Sequence, residues 1–343
     1  MITFPPTDTL PAAALVDLQD IGRRLQAESP ADTVACAYGV GPDVRAWYDE
    51  SKGRYFDLAS LTKPLFTAPT VLGLLADRDA LDESVAKTLA WLPRLPGVPT
   101  VRRLLTHAAG LPAELPAEGD ASEVRAWLAE SIRDVLVPVD TVTYSDAGYW
   151  LLGNVASTLS GEPLHVLFAT APTVTSGAFL FGEAPAERSV PAGPVDGNAR
   201  LPHDPAARRL GPSGHAGAFG TLAGVVQAVV TWLDRSWLPE PLATETVTCQ
   251  THTLPGGHRS LVWTLAGDPF HAVAHDWPPT TLCHTGFTGV SVALDPVSRW
   301  WAVYLSNAVP VARDAGPILR ARRLFHAVAA SQLRASASDP TPA

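Results

Sequence analysis

Strand-like alternation of apolar and polar residues marks both ends of the chain, and helical spacing marks most of what lies between. Near the start, residues 33–41 (TVACAYGVG) and 44–49 (VRAWYD) read as two strands around a Gly-Pro-Asp turn, which predicts a β-hairpin. Apolar residues three or four positions apart predict one helix over residues 12–27, before the hairpin. A second helix is predicted after the hairpin, from about Ser60 to Ala76.

Strand-like segments return in the last third of the chain. Four of them are predicted, at residues 258–267, 280–288, 289–295 and 300–307. The last two are separated by Asp-Pro-Val-Ser-Arg, which is typical of a hairpin turn. An amphipathic helix is predicted over residues 317–333, and the Ser-, Ala- and Pro-rich end predicts a disordered tail at residues 336–343.

Strands are predicted at both ends of the chain and helices in the middle. The simplest architecture with this order is one antiparallel sheet assembled from both ends of the chain. We expect an α+β protein in which N- and C-terminal helices flank this sheet. Residues 1–76 and 250–335 would form the sheet lobe, and residues 77–249 an inserted, mainly helical lobe. Residues 170–213 are rich in Pro, Gly and Ala and predict long loops over a surface or cleft, and a cleft between lobes is a natural ligand site.

Composition excludes several classes of protein. The 343 residues are 46% hydrophobic, and the formal charge of −9 is spread along the chain without a basic patch, so nucleic acid is not an expected partner. The start has no signal-peptide pattern, and no apolar stretch of about 20 residues could span a bilayer. We therefore expect a cytoplasmic protein without membrane contact. Nothing in the sequence indicates the oligomeric state. Cys36, Cys249 and Cys283 predict neither a disulfide framework nor a zinc site.

A Ser-x-x-Lys pair occurs twice, as Ser60/Lys63 and Ser84/Lys87. On a helix, positions i and i+3 share a face, so a lysine amine can reach a serine hydroxyl. A lysine buried among apolar residues has a lowered pKa and can act as a base, a role that arginine cannot take. Pro64 places Ser60 at a helix start within an apolar segment. The Ser84 pair follows a charged segment in which Asp82 reads as an N-cap, which predicts an exposed, structural pair.

Five motifs in order surround or follow the Ser60 pair. They are FDLASLTKPL (56–65), RRLLTHAAGLP (102–112), TYSDAGYWLLGNVASTLSG (143–161), GPSGHAGAFGT (211–221) and HTGFTGVSVALDP (284–296). Together they resemble the serine β-lactamase and penicillin-binding-protein superfamily, in particular class C β-lactamases and their DD-peptidase, esterase and amidase relatives. The resemblance covers about residues 30–308. Its fold, a sheet with a helical lobe, agrees with the architecture inferred above.

The resemblance implies roles for individual residues. Ser60 would be the nucleophile, Lys63 its partner in proton transfer, and Tyr144 the general base, whose phenol needs Lys63 nearby to work near neutral pH. The backbone N–H groups of Ser60 and Phe287 would form an oxyanion hole. Gly286 would leave room for a substrate backbone. The substrate-binding positions would be Asp146, His215, His284, Thr285 and Gly286. The substrate would be a small-molecule or peptide-like amide or ester, and no metal or other cofactor is implied.

Two departures from the family pattern bear on the substrate. Asp146 stands where Asn is usual, and an ionised Asp only accepts hydrogen bonds. His284 stands where many members have Lys, which weakens a fixed positive charge near a substrate carboxylate. Both departures favour a peptidase, esterase or amidase over an efficient β-lactamase. The alternative hypothesis is a non-catalytic relative that binds cell-wall fragments or a protein partner through the same cleft.

Other polar residues have structural interpretations. Asp146 reads as the N-cap of the helix that follows it, closed by Gly161, and His107 reads as a structural hydrogen-bonding residue. His271 and His275 are four apart, but their short, Pro-flanked segment predicts a loop rather than a zinc site. No Gly-x-Ser-x-Gly elbow and no nucleotide-binding glycine loop occurs.

Overall fold

The structure of the protein is a computed structural model. It describes residues 22–25, 31–75, 79–135, 139–273, 276–309 and 316–338. The first predicted helix, residues 12–27, lies mostly outside these ranges, and its described residues 22–25 are helical.

Strands lie near both ends of the described chain, and helices with short strands lie between them. The described strands are β1 (Val34–Val40), β2 (Asp43–Asp49), β3 (Phe56–Asp57), β4 (Phe179–Phe181), β5 (Ala184–Pro185), β6 (Val195–Asp196), β7 (Ala199–Arg200), β8 (Ala218–Gly220), β9 (Leu282–Thr285), β10 (Ser291–Leu294) and β11 (Trp300–Ser306). The described α-helices of more than four residues are α1 (Ala68–Leu74), α2 (Val101–Leu105), α3 (Ala121–Ser131), α4 (Asp146–Ser160), α5 (Leu164–Ala169), α6 (Pro205–Leu210), α7 (Leu222–Asp234), α8 (Glu240–Glu245) and α9 (Gly316–Ser338).

A five-stranded sheet joins the two ends of the chain in the order β2-β1-β11-β10-β9, and every neighbouring pair is antiparallel. The predicted hairpin at residues 33–49 and the predicted hairpin around residues 295–299 both form. The prediction of an α+β protein with an antiparallel sheet made from both ends is therefore confirmed.

Both faces of this sheet are covered, which explains why β1 is apolar at nearly every position. Val34, Cys36 and Tyr38 belong to the hydrophobic cluster under α9, whereas Ala35 and Ala37 belong to the larger cluster that includes α7. Successive strand residues point to opposite faces, so a strand buried on both sides loses its polar alternation.

The segment 258–267 differs from its prediction as a strand. It forms a tight turn in which the Ser260 hydroxyl accepts hydrogen bonds from the N–H groups of Val262 (3.4 Å) and Trp263 (3.0 Å). Only single bridges, Arg259 with Thr264 and Thr264 with Cys283, connect it to itself and to β9. A serine side chain that satisfies backbone donors locally competes with strand pairing.

The predicted boundaries are only partly matched. Helix α7 comes from the segment assigned to the helical lobe, yet it packs on β1, β10 and β11. The division into two lobes therefore stays a prediction. Helix α9 extends to Ser338 and so includes the first three residues of the tail predicted as disordered, 336–343; residues 339–343 lie outside the described ranges. No helix within the described ranges is long and apolar enough to cross a membrane.

Candidate active site

Ser60 lies at the entry to a helical segment, as predicted, but that segment is irregular. Strand β3, paired with β8, leads into a 3₁₀ turn over Ala59–Leu61. Ala59 has a φ of +45°, a left-handed conformation that is costly for a residue other than glycine. The buried Asp57 carboxylate accepts the Ala59 N–H at 2.9 Å and thereby holds this turn.

Beyond Ser60 the chain forms a wide π-helical turn over Lys63–Thr67 before α1 begins. Pro69 has no N–H to donate to the carbonyl of Leu65, and the Thr173 hydroxyl donates to that carbonyl instead. The Trp232 indole N–H donates to the Pro64 carbonyl at 2.9 Å. In the π-helical and α-helical patterns, residue 69 would donate to the carbonyls of Pro64 and Leu65, so side chains from elsewhere in the fold satisfy the two carbonyls that Pro69 leaves free.

The Lys63 side chain is fully buried, and its ammonium has three partners. Nζ lies 3.0 Å from Ser60 Oγ, 2.8 Å from the His215 carbonyl oxygen and 2.6 Å from Asp146 Oδ1. It also lies 5.0 Å from the centre of the Tyr144 ring. The structure therefore brings together residues from three distant motifs, those that contain Ser60 and Lys63, Tyr144 and Asp146, and His215.

The protonation state of Lys63 differs from the expectation based on burial alone. Burial lowers the pKa of Lys63, but the Asp146 carboxylate and the Tyr144 phenol outweigh burial, and the pKa lies above the ordinary lysine value. Burial raises the pKa of Tyr144, and Lys63 opposes this rise while Asp146 adds to it. At neutral pH the resting site therefore holds a protonated lysine and a neutral phenol.

Asp146 is not the N-cap of the helix that follows it. Ser145 is the cap, and its hydroxyl accepts the Gly148 N–H at 2.9 Å, while Asp146 is the first residue of α4. The Asp146 carboxylate is turned toward Lys63 and stays partly exposed to the cavity. The predicted helix end is confirmed, because Gly161 closes α4 with a φ of +77°.

Two buried histidines beside Tyr144 are neutral. Burial, with the nearby cations Arg259 and Lys63, lowers the pKa of His107 and of His284 well below the ordinary value. His107 stacks on the Tyr144 ring at 4.5 Å between centroids, and its Nδ1 accepts the Ser145 N–H at 2.9 Å, so it supports the tyrosine structurally. His284 Nδ1 lies 2.9 Å from the Thr285 carbonyl, which can only accept, so Nδ1 carries the proton and Nε2 is an acceptor.

Gly286 is required by the packing of the fold itself. A Cβ at this position would lie 2.7 Å from the Leu58 carbonyl oxygen and 2.6 Å from a Val290 methyl group. The missing side chain thus lets the end of β9 approach the turn that carries Ser60, and the predicted contact with a substrate backbone stays a prediction. This approach brings the peptide between Gly286 and Phe287 close to the nucleophile turn.

One cavity of about 720 Å³ contains nearly all of these groups. Ser60, Tyr144, Asp146, His215, His284, Thr285, Gly286 and Phe287 line it, together with Glu114, His203, Asp204, Arg259, Phe270 and Arg322. The rings of Phe270 and Phe287 are exposed at this cavity. Lys63 lies behind the cavity wall, in contact with Ser60.

The His215 ring is buried, and the backbone carbonyl of His215 accepts a hydrogen bond from Lys63. Its Nδ1 lies 2.8 Å from Ser213 Oγ, and its Nε2 lies 3.1 Å from the Asp204 carboxylate. The carbonyl accepts from Lys63, so the ring contacts hold the loop that positions this acceptor. Ser213 is buried and does not line the cavity, which makes it a support for the loop rather than a second nucleophile.

Two arginines in the cavity wall were missed by sequence reasoning. Arg259 pairs with Asp268 (Nε to Oδ2, 3.2 Å) and lies 5.6 Å from the Tyr144 ring centre. Its segment reads as a strand, so the sequence contains no signal that points to it. Arg322 could have been recognised from the sequence, because it lies between Ile318 and Phe325 on the apolar face of the C-terminal helix, where a charged residue is unexpected.

The remaining candidates are structural. The N-cap predicted at Asp82 lies at Ser84, whose hydroxyl caps a short 3₁₀ turn. Asp82 forms an ion pair with Arg102. Lys87 is exposed and bonds to Glu83 at 2.9 Å, as expected for a surface pair. His271 contacts Thr264, and His275 lies outside the described residues. Within the described part of the chain, no group of three or more His, Cys, Asp or Glu side chains could hold a metal ion.

The fold and the sequence define the class of protein. The chain belongs to the β-lactamase family, because the profile of that family, described as "Beta-lactamase", matches residues 30–327. This confirms the resemblance inferred from the five motifs.

Individual relatives are more distant. A protein of Escherichia coli K12 named "Putative D-alanyl-D-alanine carboxypeptidase" is 26% identical over 313 residues, which is 74% of this chain and 69% of that protein. The crystal structure of a β-lactamase/D-alanine carboxypeptidase from Pseudomonas syringae aligns with a TM-score of 0.72 at 17% identity, over 94% of this chain and 99% of that one. EstCE1, a hydrolase with promiscuous acyltransferase activity, aligns with a TM-score of 0.69 at 20% identity, over 92% and 99%. At these identities the two structures show a shared fold.

Proposed function

We propose that this protein is a serine hydrolase that transfers the acyl group of an ester or amide to Ser60 and then to water. The single observation that supports this most is the 3.0 Å contact between Ser60 Oγ and Lys63 Nζ at the wall of a cavity that Tyr144 also lines. Membership of the β-lactamase family, a relative named as a carboxypeptidase and a structural neighbour named as a hydrolase with acyltransferase activity support the same reaction class.

The proposed reaction has two halves. Ser60 Oγ attacks the carbonyl carbon and gives its proton to the Tyr144–Lys63 pair, in the minor form of that pair that has lost one proton; the pair then returns a proton to the leaving alcohol or amine. In the second half, water attacks the acyl-serine along the same proton path. The N–H groups of Ser60 and Phe287 donate to the oxyanion in both halves.

The part of the cavity wall around Ser60 favours neutral, partly apolar substrates, because Arg259 is paired with Asp268 and Arg322 donates to the Gly286 carbonyl. His284 is neutral where many family members carry a lysine, and Asp146 balances the charge of Lys63. The exposed rings of Phe270 and Phe287 offer apolar surface at the same cavity. We therefore propose carboxylic esters and amides as substrates in preference to β-lactams.

Covalent labelling tests this proposal directly. After treatment with a fluorophosphonate, intact-mass spectrometry should show one adduct per chain, and peptide mapping should place it on Ser60 and leave Ser84 unmodified. If Ser60 stays unlabelled while muropeptides bind without turnover, the non-catalytic alternative replaces the proposal.

We expect Asp146→Asn to move the pH profile of kcat/KM toward lower pH. The Asp146 carboxylate raises the pKa of both Lys63 and Tyr144, so its removal lowers the pKa of both groups. The base form that accepts the Ser60 proton is then more populated at neutral pH. The midpoint of the rise of kcat/KM with pH should therefore fall, and kcat/KM at pH 7 should rise.

The measurement is kcat/KM for one ester between pH 6 and pH 11.5, corrected for spontaneous hydrolysis. Glu83→Gln, which removes a carboxylate beside the exposed Lys87, is the matched control and should leave the midpoint in place. A midpoint that stays or rises in Asp146→Asn contradicts the assignment of the two pKa values.

A further inference from the structure

Arg322 is a buried cation for which the described part of the chain offers no carboxylate partner. Its side chain is 6% exposed and lines the cavity that contains Ser60. Its Nη2 donates to the carbonyl oxygen of Gly286, and its Nε has no hydrogen-bond partner among the described residues. Burial lowers the pKa of Arg322 to about 10, so it stays charged at neutral pH. A buried, unpaired cation is costly for folding, which suggests a functional reason for its position.

The group that Arg322 contacts belongs to the proposed oxyanion hole. In a trans peptide, the carbonyl of Gly286 and the N–H of Phe287 point in opposite directions. A donor held on the carbonyl therefore fixes the direction of the N–H on the other side.

Hydrogen bonds between uncharged groups also hold the turn over residues 286–290. The Gly286 carbonyl also accepts the Gly289 N–H at 3.1 Å, and the Gly286 N–H donates to the Val290 carbonyl at 2.8 Å. The Thr288 hydroxyl donates to the Asp57 carbonyl at 2.7 Å, which ties the turn to the strand before Ser60. These contacts set the backbone shape without Arg322, so the contribution of Arg322 is separable from folding.

That contribution is electrostatic. A cation bonded to a carbonyl polarises the peptide, and the opposite N–H becomes a stronger donor. Preorganised donors at an oxyanion are among the largest contributions to acyl transfer, since they act where negative charge develops.

We propose that Arg322 is a positioning residue that orients and polarises the Gly286–Phe287 peptide so that the Phe287 N–H stabilises the oxyanion. The inference rests on the proposed function of Ser60. Arg322 acts through the peptide and need not touch the substrate.

Three variants test it: Arg322→Met, Arg322→Lys and the control Arg323→Met, which removes an exposed charge from the same helix turn. In Arg322→Met, kcat for an ester should fall about 10- to 100-fold, with KM changed less than about threefold. Arg322→Lys should regain part of the loss, and added guanidinium at millimolar concentration should restore part of the activity of Arg322→Met. The melting temperature of Arg322→Met should stay equal or rise, because a buried unpaired charge is removed.

A structural role predicts the opposite pattern. If Arg322→Met melts at a lower temperature and loses activity in proportion, without guanidinium rescue, the inference is wrong. An unchanged kcat also overturns it.

A spectroscopic measurement separates this inference from the proposed function. In protein labelled with ¹⁵N-phenylalanine, which gives ten amide signals, the Phe287 signal is assigned through Phe287→Tyr. Its proton should shift upfield in Arg322→Met, because a less polarised amide is less deshielded, and stay in place in Arg323→Met. If Ser60 is never labelled by the fluorophosphonate, the proposed function fails, while an unmoved Phe287 signal refutes the role of Arg322 independently.

Discussion

Replacing Ser60 with alanine should reduce the hydrolysis of every ester or amide that the protein turns over to the background rate. Ser60 Oγ is the hydroxyl in contact with Lys63 and lies at the cavity wall, so its loss removes the atom that would form the acyl-enzyme. Loss of a serine nucleophile costs about 10⁴-fold or more in kcat. The rates should be measured on a panel of nitrocefin, p-nitrophenyl esters, D-Ala-D-Ala peptides and muropeptides.

The second Ser-x-x-Lys pair supplies the matched control. Ser84→Ala removes a serine with the same spacing to a lysine, and the loss of its cap to the Ala86 N–H should have a small effect on stability and none on turnover. The proposal fails if Ser60→Ala matches the wild type on a substrate that is turned over.

The sheet and the position of the nucleophile could be predicted because both depend on local patterns. The hairpins around residues 41–43 and 295–299 combine strand alternation with turn residues, and Pro64 marks the helix start after Ser60. Local signals fail where a side chain overrides them, as the Ser260 hydroxyl does when it turns a strand-like segment and places Arg259 in the cavity wall.

The charges of the candidate site could not be predicted in the same way. Apolar neighbours in sequence indicate that Lys63 is buried, and burial alone lowers a lysine pKa. The opposite shift arises because α4 presents the Asp146 carboxylate 2.6 Å from Nζ, a contact that only the fold makes. His284 shows the converse case, since burial, together with cations contributed by other segments, lowers its pKa and keeps it neutral. The family motifs therefore identify which residues form the candidate site, whereas the contacts made by the fold determine the pKa values of those residues.

Lys63→Arg should lose as much activity as Lys63→Met, about 10²- to 10⁴-fold in kcat/KM. The ammonium occupies a site with no exposed surface and three acceptors at 2.6–3.0 Å, which suits a compact group with three donors better than a planar guanidinium. A guanidinium also keeps its proton, so it cannot exchange one with Tyr144 or Ser60. Lys87→Arg and Lys87→Met, at the exposed pair, should retain full activity.

The comparison of these two variants decides what Lys63 contributes. If it supplies only a positive charge that stabilises the Tyr144 phenolate, arginine preserves that charge and Lys63→Arg should keep much more activity than Lys63→Met. If the lysine also gives up and regains a proton during turnover, the two losses are equal. Equal losses in folded variants, checked by circular dichroism and melting temperature, agree with proton transfer through Lys63 and with the poorer fit of a guanidinium in this closed site, so retained activity is the outcome that discriminates. Activity in Lys63→Arg above about a tenth of wild type contradicts proton transfer through Lys63 and leaves Tyr144 as the sole base.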